Sequence, residues 1–227
     1  MAPKNTILKS GFILLFLFSF SAGFAQKTLT GPSDATTPPP ALASSVQKII
    51  NNNGTISLST ATVAGNTYQW FKKDQSGTMQ LVQQGPGSTF TENASGKGYY
   101  TYELVESNSN GCTSVASEPF TIYVLPQWTA AITPSTTTVC EQGHSTSILT
   151  ALPASDDSFS YSYQWTRNGS AITGANSSTY TVSETTAGNV NYGVTITSKL
   201  STSSSSAASQ SITVIPVPTK PTVVAGL

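Results

Sequence analysis

Tyr68-Gln69-Trp70 recurs as Tyr163-Gln164-Trp165, and the residues that follow each copy can be laid over one another. Ser88-Thr89-Phe90-Thr91 matches Ser178-Thr179-Tyr180-Thr181 at an offset of 90. The same offset carries Gly98 onto Gly188, Tyr102 onto Tyr192, Leu104 onto Val194, Ile122 onto Ile212, Val124 onto Val214 and Pro126 onto Pro216 without a gap. Upstream, the offset is 95 at the Trp and 91 from Leu58 to Leu149, so length changes fall between periodic segments, where loops tolerate them. The chain is a duplication, and a repeat of this kind sets the fold before any local propensity does.

Each copy reads as strands. Thr55-Ile56-Ser57-Leu58-Ser59 alternates polar and apolar residues, the period of a strand buried on one face. Gly65-Asn66, Gln75-Ser76-Gly77 and Gly85-Pro86-Gly87 break the pattern as turns, and Asn168-Gly169 has hairpin chemistry. Met79 to Val82, Ser88 to Thr91, Tyr100 to Leu104 and Phe120 to Val124 complete about seven short strands at the spacing of a sandwich. Lys-, Glu- and Ala-rich helical windows are missing, which makes the class all-β.

These features resemble the bacterial immunoglobulin-like repeats of large secreted and cell-surface proteins. The resemblance rests on the two Tyr-Gln-Trp copies, on Gly174 to Val182 and on Ser109-Asn110-Gly111-Cys112-Thr113-Ser114, and it spans residues 41 to 227. It implies two tandem β-sandwiches, over 41–126 and 127–216. In such domains a Trp on the third strand packs against a bridge between the second and sixth strands, with a Tyr two residues before the second bridge position. Trp70 and Trp165 take the first role and Tyr102 and Tyr192 the second, while Leu58 with Leu104 and Leu149 with Val194 replace the bridge as aliphatic core pairs. The family often carries one Cys before the second strand and one after the sixth. Here the first copy keeps only the late Cys112 and the second only the early Cys140; the matching positions lie near Ile49 and at Thr202. A Cys112–Cys140 disulfide would need Cα atoms within about 7 Å, and the strand order offers no reason for that.

At the N-terminus, Lys4 and Lys9 precede an apolar run from Phe12 to Phe20, and Gly23 and Ala25 stand where a signal peptidase looks for small residues. Residues 1–25 are expected to be a cleaved secretory signal, since the run is shorter than the roughly 20 residues that span a bilayer. Residues 26–40, with Gly31-Pro32 and Pro38-Pro39-Pro40, are expected to be a disordered Pro/Thr-rich tether. Residues 217–227 resemble the stretch after Pro126 and are read as a linker or the first strand of a further repeat, so that the chain is expected to stop inside an array, either as a fragment, the blander reading, or with an edge that another chain can pair.

The formal net charge is zero with 9% charged residues, so nucleic acid and anionic membranes have no electrostatic handle, and no membrane insertion is expected after signal cleavage. His144 is the only His, which leaves no ordinary Ser-His triad or His-rich metal site. Cys140-Glu141-Gln142-Gly143-His144 lacks a fourth ligand for zinc, and Asp156-Asp157 lacks the pattern of a calcium loop. No catalytic residue, metal or cofactor is therefore expected. One candidate ligand platform stands out: Phe159 and Tyr161, in an insertion before the second Trp, alternate with serines at one sandwich end. The competing expectation buries them under the Ser201–Ser206 loop. Trp128 reads either as a ligand-stacking residue or as a wedge between domains, with the short step after Pro126 favouring the wedge.

The expected function is that of a non-catalytic, extracellular structural or adhesive spacer at a bacterial surface. Its expected partners are a surface glycan or protein, further immunoglobulin-like domains, or another subunit reached through the C-terminal strand. Two other classes fit the same text: the accessory, polysaccharide-binding region of a secreted hydrolase, and a strand-exchanging fibre subunit.

Overall fold

The computed structural model describes residues 26–153 and 159–223. The signal segment and Asp156-Asp157 lie outside the described residues. Seven strands come first: β1 (Lys48–Ile50), β2 (Thr55–Ser59), β3 (Thr67–Lys73), β4 (Met79–Gly85), β5 (Thr89–Asn93), β6 (Gly98–Ser107) and β7 (Phe120–Val124). They form a five-stranded sheet of order β1-β7-β6-β3-β4 and a two-stranded sheet β2-β5. One core of Ile56, Leu58, Trp70, Val82, Phe90, Tyr100, Tyr102, Ile122 and Val124 joins the two sheets, so they face each other as a sandwich. Alternation explains the choice of residues: in β2, Ile56 and Leu58 are buried while Thr55, Ser57 and Ser59 are exposed.

Eight more strands follow: β8 (Ala130–Pro134), β9 (Thr138–Cys140), β10 (Ser147–Pro153), β11 (Tyr161–Arg167), β12 (Ser170–Ala171), β13 (Thr179–Val182), β14 (Gly188–Ser198) and β15 (Ser205–Ile215). The sheets β13-β10-β8 and β12-β11-β14-β15-β9 enclose a second core around Leu149, Trp165, Val182, Tyr192, Val194, Ile196, Ile212 and Val214. In both sandwiches a short strand pairs in parallel with the last strand, β1 with β7 and β9 with β15, and the remaining ladders are antiparallel. Trp70 lies opposite Leu104 and Trp165 opposite Val194, although Leu104 is only partly buried. The fold is all-β and immunoglobulin-like.

The expected disordered tether is a correction. Residues 26–40 lie along the first sandwich as a strap: the Lys27 N–H donates to the Leu81 carbonyl at 2.9 Å, the Ser33 N–H to that of Tyr99 at 2.7 Å, and the Tyr99 N–H to that of Asp34 at 2.8 Å. Leu29 packs against the core, and the Tyr99 hydroxyl donates to the Pro38 carbonyl at 2.8 Å. The cause is an open edge. The β3–β6 ladder ends at Lys72 opposite Tyr102, leaving Tyr99 without a neighbour on that side, and the strap supplies one. Backbone pairing needs no apolar pattern, so composition does not announce it.

At the other end, residues 217–223 lie outside the strands, and the Val217 N–H donates to Glu141 Oε1 at 3.0 Å. No helix among the described residues is long and apolar enough to cross a membrane.

Candidate functional site: the joint between the sandwiches

Five residues, Leu125 to Thr129, connect β7 to β8. Leu125 is buried and its N–H donates to the Ile50 carbonyl at 2.9 Å, so the first sandwich holds the linker to its last apolar residue. Trp128 is fixed to the second: its indole N–H donates to Ser204 Oγ at 3.1 Å, and its ring lies 5.2 Å from that of Tyr161. The Ala130 N–H donates to Ser206 Oγ at 3.0 Å. The indole packs against its own sandwich and lines a cleft whose other wall is Asn51 to Asn53 of the first.

Tyr99 and Tyr123 alternate with inward residues of β6 and β7, so their rings stand on the outer face of the five-stranded sheet, 4.7 Å apart and edge to face. They form a seat with Val46, Ile49 and Leu125. Phe159 enters it: the ring is 8% exposed and 6.3 Å from Tyr123, and Tyr161 and Leu200 flank it. Burying one Phe side chain contributes about 1.5–3 kcal/mol, and each aromatic pair adds about 0.5–1.5 kcal/mol.

This geometry corrects the platform expectation. Phe159 meets the neighbouring sandwich, and Tyr161 packs between the Phe159 and Trp128 rings instead of standing as an open face. The cover over Phe159 is Leu200 on one side and Tyr123, Leu125 and Val46 on the other, and none of these lies in the Ser201–Ser206 loop. An alternating aromatic stretch signals that a face is buried; it does not say against what.

A second feature escaped the sequence reading. Lys72 and Arg167 each stand two residues after the core Trp, and each meets a Glu that also accepts a hydrogen bond from the core Tyr. Lys72 Nζ lies 2.7 Å from Glu92 Oε1, which accepts from the Tyr102 hydroxyl at 2.6 Å. Arg167 donates through Nε and Nη2 to the two oxygens of Glu184 at 2.8 Å each, and the Tyr192 hydroxyl donates to Glu184 Oε1. Desolvation, reinforced by the adjacent carboxylate, pushes the Tyr102 and Tyr192 hydroxyls well above the usual phenol range. The guanidinium hydrogen bond holds the Glu184 carboxyl below the usual range. These groups tie neighbouring segments together, with Lys72 and Glu184 buried and the Arg167 guanidinium half exposed. The signal that could have found them is the Trp-x-Lys and Trp-x-Arg match at the offset of 95.

Elsewhere, a cleft of about 750 Å³ opens between the strap, the β3–β4 turn and the outer sheet face, and Asp34 and Asp74 line it. Each carboxylate is spent on its own turn. Asp34 Oδ1 accepts the Thr36 and Thr37 N–H groups, and Asp74 Oδ1 accepts those of Ser76 and Thr78. The Ser76 hydroxyl and the Thr78 N–H lower the Asp74 carboxyl to about 2. Glu141 bridges the Ala187 and Val217 N–H groups, His144 is exposed beside it, and Cys112 and Cys140 are both free thiols. Among the described residues, no group of three or more His, Cys, Asp or Glu side chains is arranged to hold a metal.

Residues 38–126 match the family model described as "Ig-like domain CHU_C associated". No curated protein matches the sequence. Among solved structures, the chain is similar to the fibronectin(III)-like modules of Clostridium thermocellum CbhA at 14% identity and a TM-score of 0.40, over 84% of this chain and 99% of that one. An amphioxus IgVJ-C2 molecule matches at 14% identity and a TM-score of 0.39, over 73% and 99%. A putative membrane anchored protein from Corynebacterium diphtheriae matches at 15% identity and a TM-score of 0.34, over 72% of this chain and 48% of that one. The family match covers the first sandwich with the end of its strap and stops before the second.

Proposed function

We propose that the chain is a non-catalytic, exported spacer: two immunoglobulin-like repeats, over 41–126 and 127–216, that hold an attached surface at a set distance from a bacterial cell. The observation that supports this reading is the joint. Domains in one chain move relative to one another unless their interface is apolar and well packed. Here Phe159, Tyr123, Leu125 and Val46 form a buried cluster across the joint, and Trp128 stiffens the connector. A filled joint resists bending, which a spacer requires and a flexible tether does not.

The test is a measurement of shape. Phe159→Ser in the exported form empties the seat while leaving both cores intact. Small-angle scattering is expected to show a broader distribution of end-to-end distances, and melting is expected to shift by no more than the roughly 1.5–3 kcal/mol that burial of the Phe159 side chain contributes. An unchanged distance distribution would remove the joint as the basis of a spacer.

A further inference from the structure

Each sandwich has two ends, and the joint shows how unlike ends meet. The seat end of the first presents the turn after β1; the hairpin end of the second presents the turn between β14 and β15. Asn51 from the first and Ser203-Ser204-Ser205 from the second line one cleft of about 200 Å³ with Trp128. Strand pairing identifies the counterparts of these positions in the other sandwich. Ile50 pairs with Val124 and Val139 with Val214, so the residue after Val139, Cys140, corresponds to Asn51. The hairpin in the second sandwich is closed by the Ser198 N–H donating to the Ser204 carbonyl, and the one in the first by the Asn108 N–H donating to the Cys112 carbonyl. Cys112 therefore corresponds to Ser204.

The two positions that face one cleft at the joint thus correspond to Cys140 and Cys112, which lie at the ends of the two sandwiches away from the joint. This register refines the sequence alignment, which places the counterparts near Ile49 and at Thr202. It also separates the thiols within one chain, because Cys112 lies at the hairpin end of the first sandwich and Cys140 at the seat end of the second.

The outer ends lack the aromatic lock of the inner joint. Tyr99, Tyr123 and Leu125 of the seat become Asn189, Thr213 and Ile215, all exposed, with Ile215 at 46%. Phe159 and Tyr161 belong to the insertion that the first repeat does not have. Packing alone holds little there.

We propose that the seat end of the second sandwich receives the hairpin end of the first sandwich of a second copy, and that Cys140 and Cys112 join across this contact as a disulfide. Two thiols lose two protons and two electrons as the S–S bond forms; a small-molecule disulfide takes the electrons and is reduced to two thiols. Because the joined surfaces are unlike, the product is an open, head-to-tail chain. In the cell the step rests on the export proposed above, which supplies an oxidising compartment.

The test oxidises the purified exported form, starting at Gln26, with oxidised glutathione. The expected result is a ladder on non-reducing gels that collapses with reductant. Cys112→Ser and Cys140→Ala each stop the ladder beyond a dimer, and mixing the two variants restores a mixed dimer. In digests of wild type, the Cys112–Cys140 peptide should outnumber either like-with-like peptide by about tenfold. An excess of like-with-like peptides, an intramolecular bridge, or no ladder from thiols that a maleimide readily labels would each overturn the proposal. Oxidation of purified protein reads the end-to-end fit alone; export is read separately, from where the producing cell places the chain.

Discussion

The two sandwiches hold the same kind of ion pair with opposite members buried. In the first, Lys72 is 1% exposed, its ammonium shared among Glu92, the Leu29 carbonyl at 3.3 Å and the Tyr100 ring 4.8 Å away. In the second, Arg167 is 47% exposed and the carboxylate, Glu184, is 6% exposed. The strap makes the difference, because Leu29 closes over the ammonium that the same strand position leaves open in the second repeat. A duplicated motif therefore has different energetics in its two copies, set by one segment that lies outside the repeat.

The sharpest way to break this comparison is to remove each carboxylate. Glu92→Ala strands a buried ammonium and is expected to destabilise the first sandwich by about 3–5 kcal/mol. Glu184→Ala leaves a guanidinium that reaches water; the main loss is the partner of Tyr192, about 1–3 kcal/mol. Hydrogen exchange resolved by peptide assigns each loss to its sandwich. Acid tests the second pair directly. The Glu184 carboxyl is lowered in the folded state, so its contribution is present above the ordinary value of 4.5 and is lost as pH falls through the lowered one. Equal losses from the two substitutions would show that the strap does not seal Lys72.

A second contrast isolates the strap. Gly98 and Gly188 share a left-handed backbone, with φ of +134° and +140°. A Cβ on Gly98 would lie 2.4 Å from the Asp34 carbonyl oxygen and 2.9 Å from Pro32 Cβ, whereas one on Gly188 meets nothing within 4 Å. Both Ala variants carry backbone strain of about 1–3 kcal/mol. Only Gly98→Ala must also displace the strap, so the Lys27 and Ser33 amides are expected to lose their exchange protection. Protected amides in Gly98→Ala would mean that the strap is held elsewhere.

These contrasts mark what the sequence discloses. Alternation in Thr55–Ser59, the recurrence of Trp70 as Trp165 and the Tyr102–Tyr192 match are local patterns with a fixed period, and they specify strands, faces and the all-β class. The strap was not legible because it binds through backbone groups that every residue carries. The joint was legible only as an aromatic face at Phe159 and Tyr161, since its seat is made by Tyr99 and Tyr123 on a different sandwich. The ion pairs were hidden for a similar reason: Lys72 looks like any strand lysine until Leu29 covers it.

The smallest expected difference lies at the residues that best match between the repeats. Trp165 donates its indole N–H to the Ser177 carbonyl at 2.8 Å, in the loop that follows the short β12. In the first repeat β4 is a full strand, its ladder with β3 carries a bulge between Trp70 and Phe71, and the buried Trp70 Nε1 has no partner among the described residues. Replacing either Trp with Phe removes similar bulk. Trp165→Phe also breaks a hydrogen bond, a net loss of about 1 kcal/mol, while Trp70→Phe breaks none. Trp165→Phe is therefore expected to destabilise its sandwich by about 1 kcal/mol more than Trp70→Phe does, measured by chemical denaturation with each sandwich followed through its own exchange signal. Equal effects would mean that water reaches the Trp70 indole, and the bulge in β3, which opens the ladder beside that ring, is where it would enter.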